Sequence, residues 1–223
     1  MDNIQVQVNP AHYDFLKYVS IGRWCSYHHQ IAETLKLKPK TVLIIGIGDN
    51  IVGNVLNMQG IEVYTYDFDK ELKPDFTGNI TDIDSVVQGK TFDVVLACQI
   101  LEHLPYSQFE DVLQKLRMVA TYVIISLPHS PVNLTLGVKL HHCNTKSWNI
   151  GLHQFWKEVR LRGKPLTVKK WWKVQQSHPE HYWEAGKGIH TKRKIKKSIE
   201  KYFSIKKRFL AVENHDHIFY VLG

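Results

Sequence analysis

The chain has 223 residues, of which 43% are apolar and 22% are charged, which is the composition of a folded globular protein. This composition excludes an intrinsically disordered chain, a collagen and a coiled coil, and the length favours one domain with a sizeable insertion over two independent domains. The formal net charge is +8, an excess that would suit an anionic partner and that comes from a single segment near the C-terminus.

Between residues 11 and 128 the hydrophobic pattern predicts helices and strands in alternation. Two helices are predicted within residues 11–37, the second over 26–37. Four apolar runs rich in β-branched residues are predicted strands, at 41–45, 61–66, 92–97 and 122–127. Helical stretches separate these runs, at 50–58, 82–88 and 107–119. Strands and helices that alternate in this way predict a parallel sheet with helices on both faces.

The alternation stops at residue 129. Residues 129–190 hold five of the six tryptophans, and we predict that they form an insertion that caps the substrate. Residues 187–208 carry ten lysines and arginines against one glutamate, a net charge of +9. Such a segment can bind nucleic acid, an anionic membrane surface or a phosphorylated substrate. It can also be the solvated face of an amphipathic helix, since Ile195 and Ile199 recur at helical spacing. Two apolar runs, 208–212 and 217–222, then predict an antiparallel hairpin.

These patterns divide the chain into four parts. They are N-terminal helices (1–40), a core (41–128), the insertion (129–190), and a basic helix with a hairpin that completes the core (191–223). The uncharged run 118–138 contains two prolines, so we interpret it as a strand and a loop, not a membrane span. Three widely spaced cysteines argue against a secreted disulfide framework, and no signal peptide is visible, so we expect a soluble, cytoplasmic protein.

A pair of glycines lies between the first predicted strand and the next helix. At Gly46-Ile47-Gly48 the backbone can approach a ligand closely, and free N–H groups of the helix point at it. Asp67 ends the next strand, where a carboxylate can bind a ribose diol. A dinucleotide dehydrogenase would need a third glycine where Ile51 stands, so we predict a nucleoside ligand without a pyrophosphate.

Several stretches in order resemble motifs of the class I S-adenosylmethionine-dependent methyltransferases, closest to the type 11 group. Residues 42–48 look like the glycine motif, 66–69 like the ribose-binding strand end, and 92–105 like the motif of the fourth strand. Three shorter stretches look like an uncharacterised subgroup often encoded beside glycan-synthesis genes: 23–27, 73–75 and 125–128. The resemblance implies a Rossmann-like α/β fold with a seven-stranded, mostly parallel sheet and an antiparallel C-terminal hairpin.

The resemblance also implies S-adenosyl-L-methionine as the cofactor. It places the cofactor against nine residues, which are Tyr27, Gly46, Gly48, Asp67, Phe68, Asn79, Ile80, Cys98 and Gln99. Two positions depart from the family pattern: Ile44 stands where an acidic residue is frequent, and Asn79 stands where an aspartate usually reads the adenine amino group. The side-chain carbonyl of an asparagine can still accept that hydrogen bond.

Methyl transfer to a hydroxyl requires a base, and histidines follow two strands at the edge where open α/β sheets bind ligands. We predict that His129, after the fifth strand, is catalytic, whereas His103, after the fourth, is more simply a structural residue in a loop. Within the insertion we predict catalytic roles for His181 and Glu184. The alternative for this stretch is a tryptophan-rich core that only packs the lid.

No metal site is predicted. His141, His142, Cys143 and His153 are donor types suited to zinc, but adjacent ligands do not match the spacing of a closed site and no CxxC pair is present. Cys98 is interpreted as a small buried apolar residue. The histidine pairs 28–29 and 215/217 are interpreted as surface or turn residues.

The sequence thus favours an S-adenosylmethionine-dependent methyltransferase, with O-methyl transfer to a small polar acceptor. A sugar hydroxyl in glycan assembly is the specific hypothesis that the resemblance suggests. An RNA methyltransferase that uses the basic segment is a first alternative. It is disfavoured because residues 98–101, Cys-Gln-Ile-Leu, stand where a base-flipping enzyme would have an Asn-Pro-Pro-Tyr-like motif. A catalytically silent cofactor-binding module is the second alternative, which Ile44 and Asn79 keep open.

Overall fold

The computed structural model of the protein describes residues 13–129, 180–211, 214 and 216–223. These residues form one seven-stranded sheet in the order β3-β2-β1-β4-β5-β7-β6. The strands are β1 Thr41–Ile45, β2 Glu62–Asp67, β3 Phe76–Thr77, β4 Phe92–Cys98, β5 Ala120–Pro128, β6 Ile205–Leu210 and β7 His217–Leu222. The first five are parallel to one another, and β7 is antiparallel to both β5 and β6. The predicted α/β fold with an antiparallel C-terminal hairpin is confirmed.

Helices cover both faces of the sheet: α1 Phe15–Tyr18, α2 Ile21–Lys36, α3 Ile51–Met58, α4 Ile83–Val86, α5 Phe109–Val119 and α6 Lys192–Ile199. Side chains alternate between the faces along each strand, as the pleat requires. Leu43 and Ile45 pack with Leu113 of α5 in one core cluster, while Val42 packs with Leu56 of α3 in the other. The continuous apolar runs of β1, β4 and β5 are therefore buried on both sides.

Several boundaries differ from the predictions, among them β6, which was predicted over 208–212 and extends over Ile205–Leu210. Helix α2 begins at Ile21, five residues before the predicted start, because the Ser20 side chain accepts a hydrogen bond from the N–H of Arg23 at 3.1 Å and caps the helix there. The predicted helix 82–88 is only a four-residue turn preceded by a 3₁₀ turn. Strand β3 was not predicted, since two residues are too few to give a hydrophobic period.

The basic segment contains the predicted amphipathic helix. In α6, Ile195 and Ile199 are fully buried in the core that α5 also lines, and the lysines face outward. Some of the charge is neutralised locally, since Lys201 pairs with Glu110 at 2.6 Å and Lys207 with Glu33 at 2.7 Å. The amphipathic arrangement explains the spacing of the lysines without a nucleic-acid ligand. No helix in the described ranges is both long enough and apolar enough to cross a membrane.

The end of the predicted insertion packs against the carboxyl edge of the sheet. The N–H of Ala185 donates to the carbonyl of Pro128 at 2.8 Å, and the indole N–H of Trp183 donates to the carbonyl of Leu104 at 3.0 Å. Trp183 is 4% exposed and packs edge-on against Phe109. Four of the predicted cap tryptophans lie outside the described residues: Trp148, Trp156, Trp171 and Trp172.

Candidate functional site

A cleft of about 950 Å³ opens at the carboxyl ends of the parallel strands. Its walls come from the loops after β1, β2, β4 and β5, from residues 180–184, and from the start of β7. All twelve predicted site residues line it, although they come from segments as far apart as 27 and 184: Tyr27, Gly46, Gly48, Asp67, Phe68, Asn79, Ile80, Cys98, Gln99, His129, His181 and Glu184. The volume lies in the usual range of small-molecule sites, about 300–1,000 Å³.

The glycine loop needs its two glycines for different reasons. Gly46 has φ +76°, and a Cβ there would lie 2.1 Å from Cδ1 of Ile100, so this glycine makes room for a side chain of the protein itself. Gly48 has φ +55°, and a Cβ there would lie 3.7 Å from the ring of Tyr13 and from the hydroxyl of Tyr18, at ordinary contact distance. Only at Gly46 would a Cβ clash with a side chain of the protein, and the contact of both glycines with a cofactor stays a prediction.

The predicted ribose-binding residue, Asp67, also holds the glycine loop in place. Its Oδ2 accepts the N–H of Ile47 at 2.9 Å, and its Oδ1 accepts the N–H of Asp69 at 2.9 Å. Asp67 is 6% exposed, and burial raises the pKa of its carboxyl even though these two backbone donors act to lower it. Each oxygen retains a further lone pair for a ligand in the cleft.

The N-terminal helices supply an aromatic wall opposite the sheet. Tyr27 on α2 donates its hydroxyl to Oδ2 of Asp49 at 2.7 Å, and Oδ1 of Asp49 accepts the N–H of Ile51 at the start of α3. Burial and this hydrogen bond raise the pKa of Tyr27 above its usual range, so the phenol stays protonated and continues to donate. Tyr18 stacks beneath the guanidinium of Arg23 at 3.9 Å. The wall thus ties α2 to the loop that carries Gly48.

The third strand leads into the edge of the cleft where the resemblance places adenine. The side-chain oxygen of Asn79 accepts the N–H of Thr81 at 3.1 Å and caps a 3₁₀ turn, and its backbone carbonyl accepts the hydroxyl of Tyr66. Ile80 beside it is 6% exposed, whereas Phe68 is 40% exposed on the opposite lip. The position of Ile44, where the family often has an acid, is a core position beneath α3.

At the end of β4, the chain turns through Gln99, which has φ +58°. With its amide nitrogen directed to Glu102, Gln99 donates to Oε1 at 3.3 Å and accepts the N–H of Leu127 at 3.3 Å, which links β4 to β5. Burial raises the pKa of the Cys98 thiol to about 12, so it is a thiol and not a thiolate at neutral pH. This agrees with its interpretation as a small apolar residue.

The predicted catalytic residues line the same cleft, from the end of β5 and from the end of the insertion. His129 is 2% exposed directly after β5, with its backbone N–H donated to the carbonyl of Asp216. Nδ1 of His181 lies 3.5 Å from Oε1 of Glu184, and Glu184 also pairs with Lys187 at 3.4 Å. Histidine and glutamate side chains from the fifth strand and the insertion therefore line one cleft, and His181 lies beside His103 of the fourth-strand motif.

Two residues near His181 were missed by the sequence reasoning. Glu102 is fully buried, and burial raises the pKa of its carboxyl to about 8. His217, interpreted as a turn residue, is the first residue of β7 and hydrogen-bonds to Ser26 at 2.9 Å. Burial lowers the pKa of His217 to about 4. For Glu102 the sequence did offer a signal, the spacing Gln99-x-x-Glu102-His103 after a strand. For His217 it offered none, because a contact between a β-strand and α2 leaves no pattern in the sequence.

The remaining candidate metal ligands of the sequence, His141, His142, Cys143 and His153, lie outside the described residues. The part of the chain that the structure describes has one group of three potential ligands, formed by Glu102, His103 and His181. It includes His103, which the sequence favoured as a purely structural residue.

No protein-family model matches the sequence, and no curated protein matches it either. Solved structures do match. Magnesium protoporphyrin IX methyltransferase from Synechocystis has a TM-score of 0.57 at 15% identity, over 98% of this chain and 89% of that one. An S-adenosylmethionine-dependent methyltransferase from Clostridium acetobutylicum has a TM-score of 0.55 at 9% identity, over 95% of both chains. A glycopeptide N-methyltransferase, solved with S-adenosylhomocysteine, has a TM-score of 0.51 at 9% identity, over 89% of this chain and 88% of that one. The chain therefore has the fold of the class I S-adenosylmethionine-dependent methyltransferases.

Proposed function

We propose that the protein is an S-adenosylmethionine-dependent methyltransferase that acts on a small polar acceptor. The observation that carries this proposal is a single cleft whose lining combines two chemically different groups of residues. We take the glycine loop and the carboxylate of Asp67 as its first end, and His129, His181 and Glu184 as its second. A nucleoside cofactor and a hydroxyl acceptor need these two kinds of environment side by side.

The residues at the first end fit the cofactor. Asp67 offers carboxylate oxygens to a ribose diol, and the side-chain oxygen of Asn79 retains a lone pair for an amino group. Ile80 supplies an apolar surface for a flat ring, and Gly48 leaves backbone exposed beside the start of α3. When bound, the cofactor supplies an electrophilic methyl group, so the protein has to position the acceptor and exclude water.

At the second end we assign His129 as the base that takes the acceptor's proton. It is buried at the carboxyl end of β5, so its imidazole is positioned by the sheet and not by a loose loop. His181 and Glu184 form a polar pair beside it that would orient a hydroxyl group. A sugar hydroxyl, with O-methyl transfer, is the specific acceptor that we propose, and the resemblance of the motifs to glycan-linked proteins supports it.

Transfer to RNA is less well supported. The lysines of α6 belong to an amphipathic helix whose apolar side is buried, and several basic residues near it pair with acidic residues. A cofactor-binding module without activity would explain the first end of the cleft but does not account for His129, His181 and Glu184 in the lining of the same cleft.

The proposal is tested by calorimetry with S-adenosylhomocysteine and by methyl transfer to a panel of sugars and glycosides. We expect one binding site per chain and a higher melting temperature in its presence, because only the folded state has the cleft. His129→Gln should lower methyl transfer by roughly 10²–10⁴-fold, the usual contribution of a general base, and leave the affinity for S-adenosylhomocysteine unchanged. His28→Gln, on the exposed side of α2, is the matched control. A wild-type protein that does not bind S-adenosylhomocysteine would refute the proposal.

A further inference from the structure

Three side chains with metal-ligand atoms converge at the cleft, which His103 and His181 line and the fully buried Glu102 does not. Glu102 and His103 lie on the 3₁₀ turn Leu101–His103 that follows β4, and His181 comes from the end of the insertion. Each offers one ligand atom, and these atoms lie within 4.8 Å of one another. The two imidazole rings are 5.1 Å apart and nearly perpendicular. Two segments separated by almost eighty residues thus present their donors to the same point.

Glu102 gives independent support for a ligand at that point. Its side chain is fully buried, and its Oε2 has no hydrogen-bond partner among the described residues. Oε1 accepts from Gln99 when the amide nitrogen of that residue is directed to it. A buried carboxylate oxygen without a partner is costly, and buried acidic groups are normally paired or bound to a metal. A cation beside Oε2 would satisfy it.

The backbone holds the two segments together before any ion binds. The N–H of Tyr182 donates to the carbonyl of Glu102 at 2.9 Å, so the residue after His181 is fixed to the turn that carries the other two ligands. The indole of Trp183 adds a second bond, to the carbonyl of Leu104. Glu184 lies 3.5 Å from Nδ1 of His181, where an outer carboxylate commonly orients a metal-bound histidine. The site is thus preorganised.

The distances agree with coordination after a moderate adjustment. Bonds from a divalent transition metal to imidazole nitrogen or carboxylate oxygen are about 2.1 Å, so neighbouring ligands of one tetrahedral or octahedral ion are about 3.0–3.4 Å apart. The three donor atoms lie within 4.8 Å of one another, so rotation of the side chains has to bring them closer by at most about 1.4–1.8 Å. Two imidazoles and one carboxylate suit zinc, manganese or iron(II) better than calcium or magnesium, and they leave positions open for another ligand.

We propose that Glu102, His103 and His181 bind one divalent transition-metal ion, whose open positions take the hydroxyl oxygen of the acceptor. The second half of this statement rests on the proposed methyltransferase function, and the first half does not. A hydroxyl bound to the ion would lose its proton more readily, and it would be held beside His129 at the same end of the cleft. This inference replaces the sequence-based prediction that the protein has no metal site.

The test uses the full-length protein after dialysis against EDTA, titrated with Zn²⁺ and with Mn²⁺ in a calorimeter. We expect one ion per chain and a raised melting temperature. Glu102→Gln keeps the shape of the side chain and should weaken binding by more than about 100-fold, since even outer-sphere changes cost about 10–100-fold. Glu184→Gln should fall within that outer-sphere range, and His181→Asn should match Glu102→Gln. Glu200→Gln, on the surface of α6, is the matched control and should bind as the wild type does.

Two results would overturn the metal site. The first is that neither ion binds at millimolar concentration. The second is that Glu102→Gln binds the ions with wild-type affinity and has an unchanged melting temperature, because any bound ion would then lie elsewhere. S-adenosylhomocysteine is titrated into the same samples to separate the two proposals. Binding of S-adenosylhomocysteine without metal binding refutes only the metal site, whereas metal binding without S-adenosylhomocysteine binding refutes only the methyltransferase function.

Discussion

Replacement of Asp67 should affect both the stability of the fold and the binding of the cofactor, and the two effects can be separated. In the folded protein its two carboxylate oxygens accept the N–H groups of Ile47 and Asp69, both at 2.9 Å. Asp67→Ala leaves two buried donors without an acceptor, and each costs about 1–3 kcal/mol. The free energy of unfolding should fall by about 2–6 kcal/mol, a large part of the roughly 5–15 kcal/mol that is typical of a folded protein.

Asp67→Asn is the more informative variant. Its amide keeps one acceptor oxygen and places an NH₂ group opposite the second backbone donor, so one of the two bonds is lost, at about 1–3 kcal/mol. If the carboxylate also binds the ribose of the cofactor, the binding free energy for S-adenosylhomocysteine weakens by about 1.5–3 kcal/mol, separately from the loss of stability. The affinity then falls by roughly 10- to 150-fold. Stability is measured by urea unfolding without ligand, and affinity by calorimetry well below the unfolding transition.

Asp75→Ala is the matched control for these variants. Oδ2 of Asp75 likewise accepts a backbone N–H, that of Thr65 at 2.8 Å, but the residue lies at the exposed edge of β2 and does not line the cleft. It should lose little stability and bind S-adenosylhomocysteine normally. An Asp67→Asn protein that is destabilised but binds with wild-type affinity would show that Asp67 only shapes the loop. Unchanged stability in Asp67→Ala would contradict the hydrogen-bond argument itself.

Two further predictions concern stability. Gly46→Ala and Gly60→Ala each put an L-residue at positive φ, which costs about 1–2 kcal/mol, but only the Cβ at residue 46 meets Ile100. Urea unfolding should therefore show a larger loss of stability for Gly46→Ala. Equal losses would contradict the packing argument. Burial lowers the pKa of His217 to about 4, below its unfolded value near 6.5, so the unfolded chain binds the extra proton between these values. Stability should then fall by up to about 3 kcal/mol as the pH drops from 6.5 to 4. His217→Asn should remove this part of the pH dependence in urea titrations, and an unchanged slope would refute the assignment.

The sequence predicted the sheet well because its central strands are buried on both faces. Strands β1, β4 and β5 must be continuously apolar, and that pattern is readable without a structure. The boundaries were less accurate where a local polar contact decides them. Helix α2 begins at a Ser20 cap, and the apolar residues of its first turn, Ile21 and Trp24, are 86% and 50% exposed, so they do not continue the buried side of the helix.

Part of the candidate site could be predicted because a residue's place depends on its own strand. Asp67 and Gly48 stand at strand ends, which fixes their place at the carboxyl edge of the sheet. The group of Glu102, His103 and His181 depends instead on where the chain returns after a long insertion. No periodicity relates residue 103 to residue 181, so a tertiary contact of this kind leaves no trace in a single sequence.

The stretch from His181 to Glu184 shows why packing and recognition were difficult to separate from the sequence. The structure has a packed residue and cleft-lining residues in the same stretch, and recognition by the latter stays a prediction. Trp183 is buried against Phe109 and bonds to the turn after β4, while His181 and Glu184 line the cleft. The packed tryptophan fixes the backbone, and the fixed backbone sets the direction of its polar neighbours. A recognition element on an insertion needs such an anchor, because a catalytic geometry held by a loop alone would be too imprecise to position an acceptor.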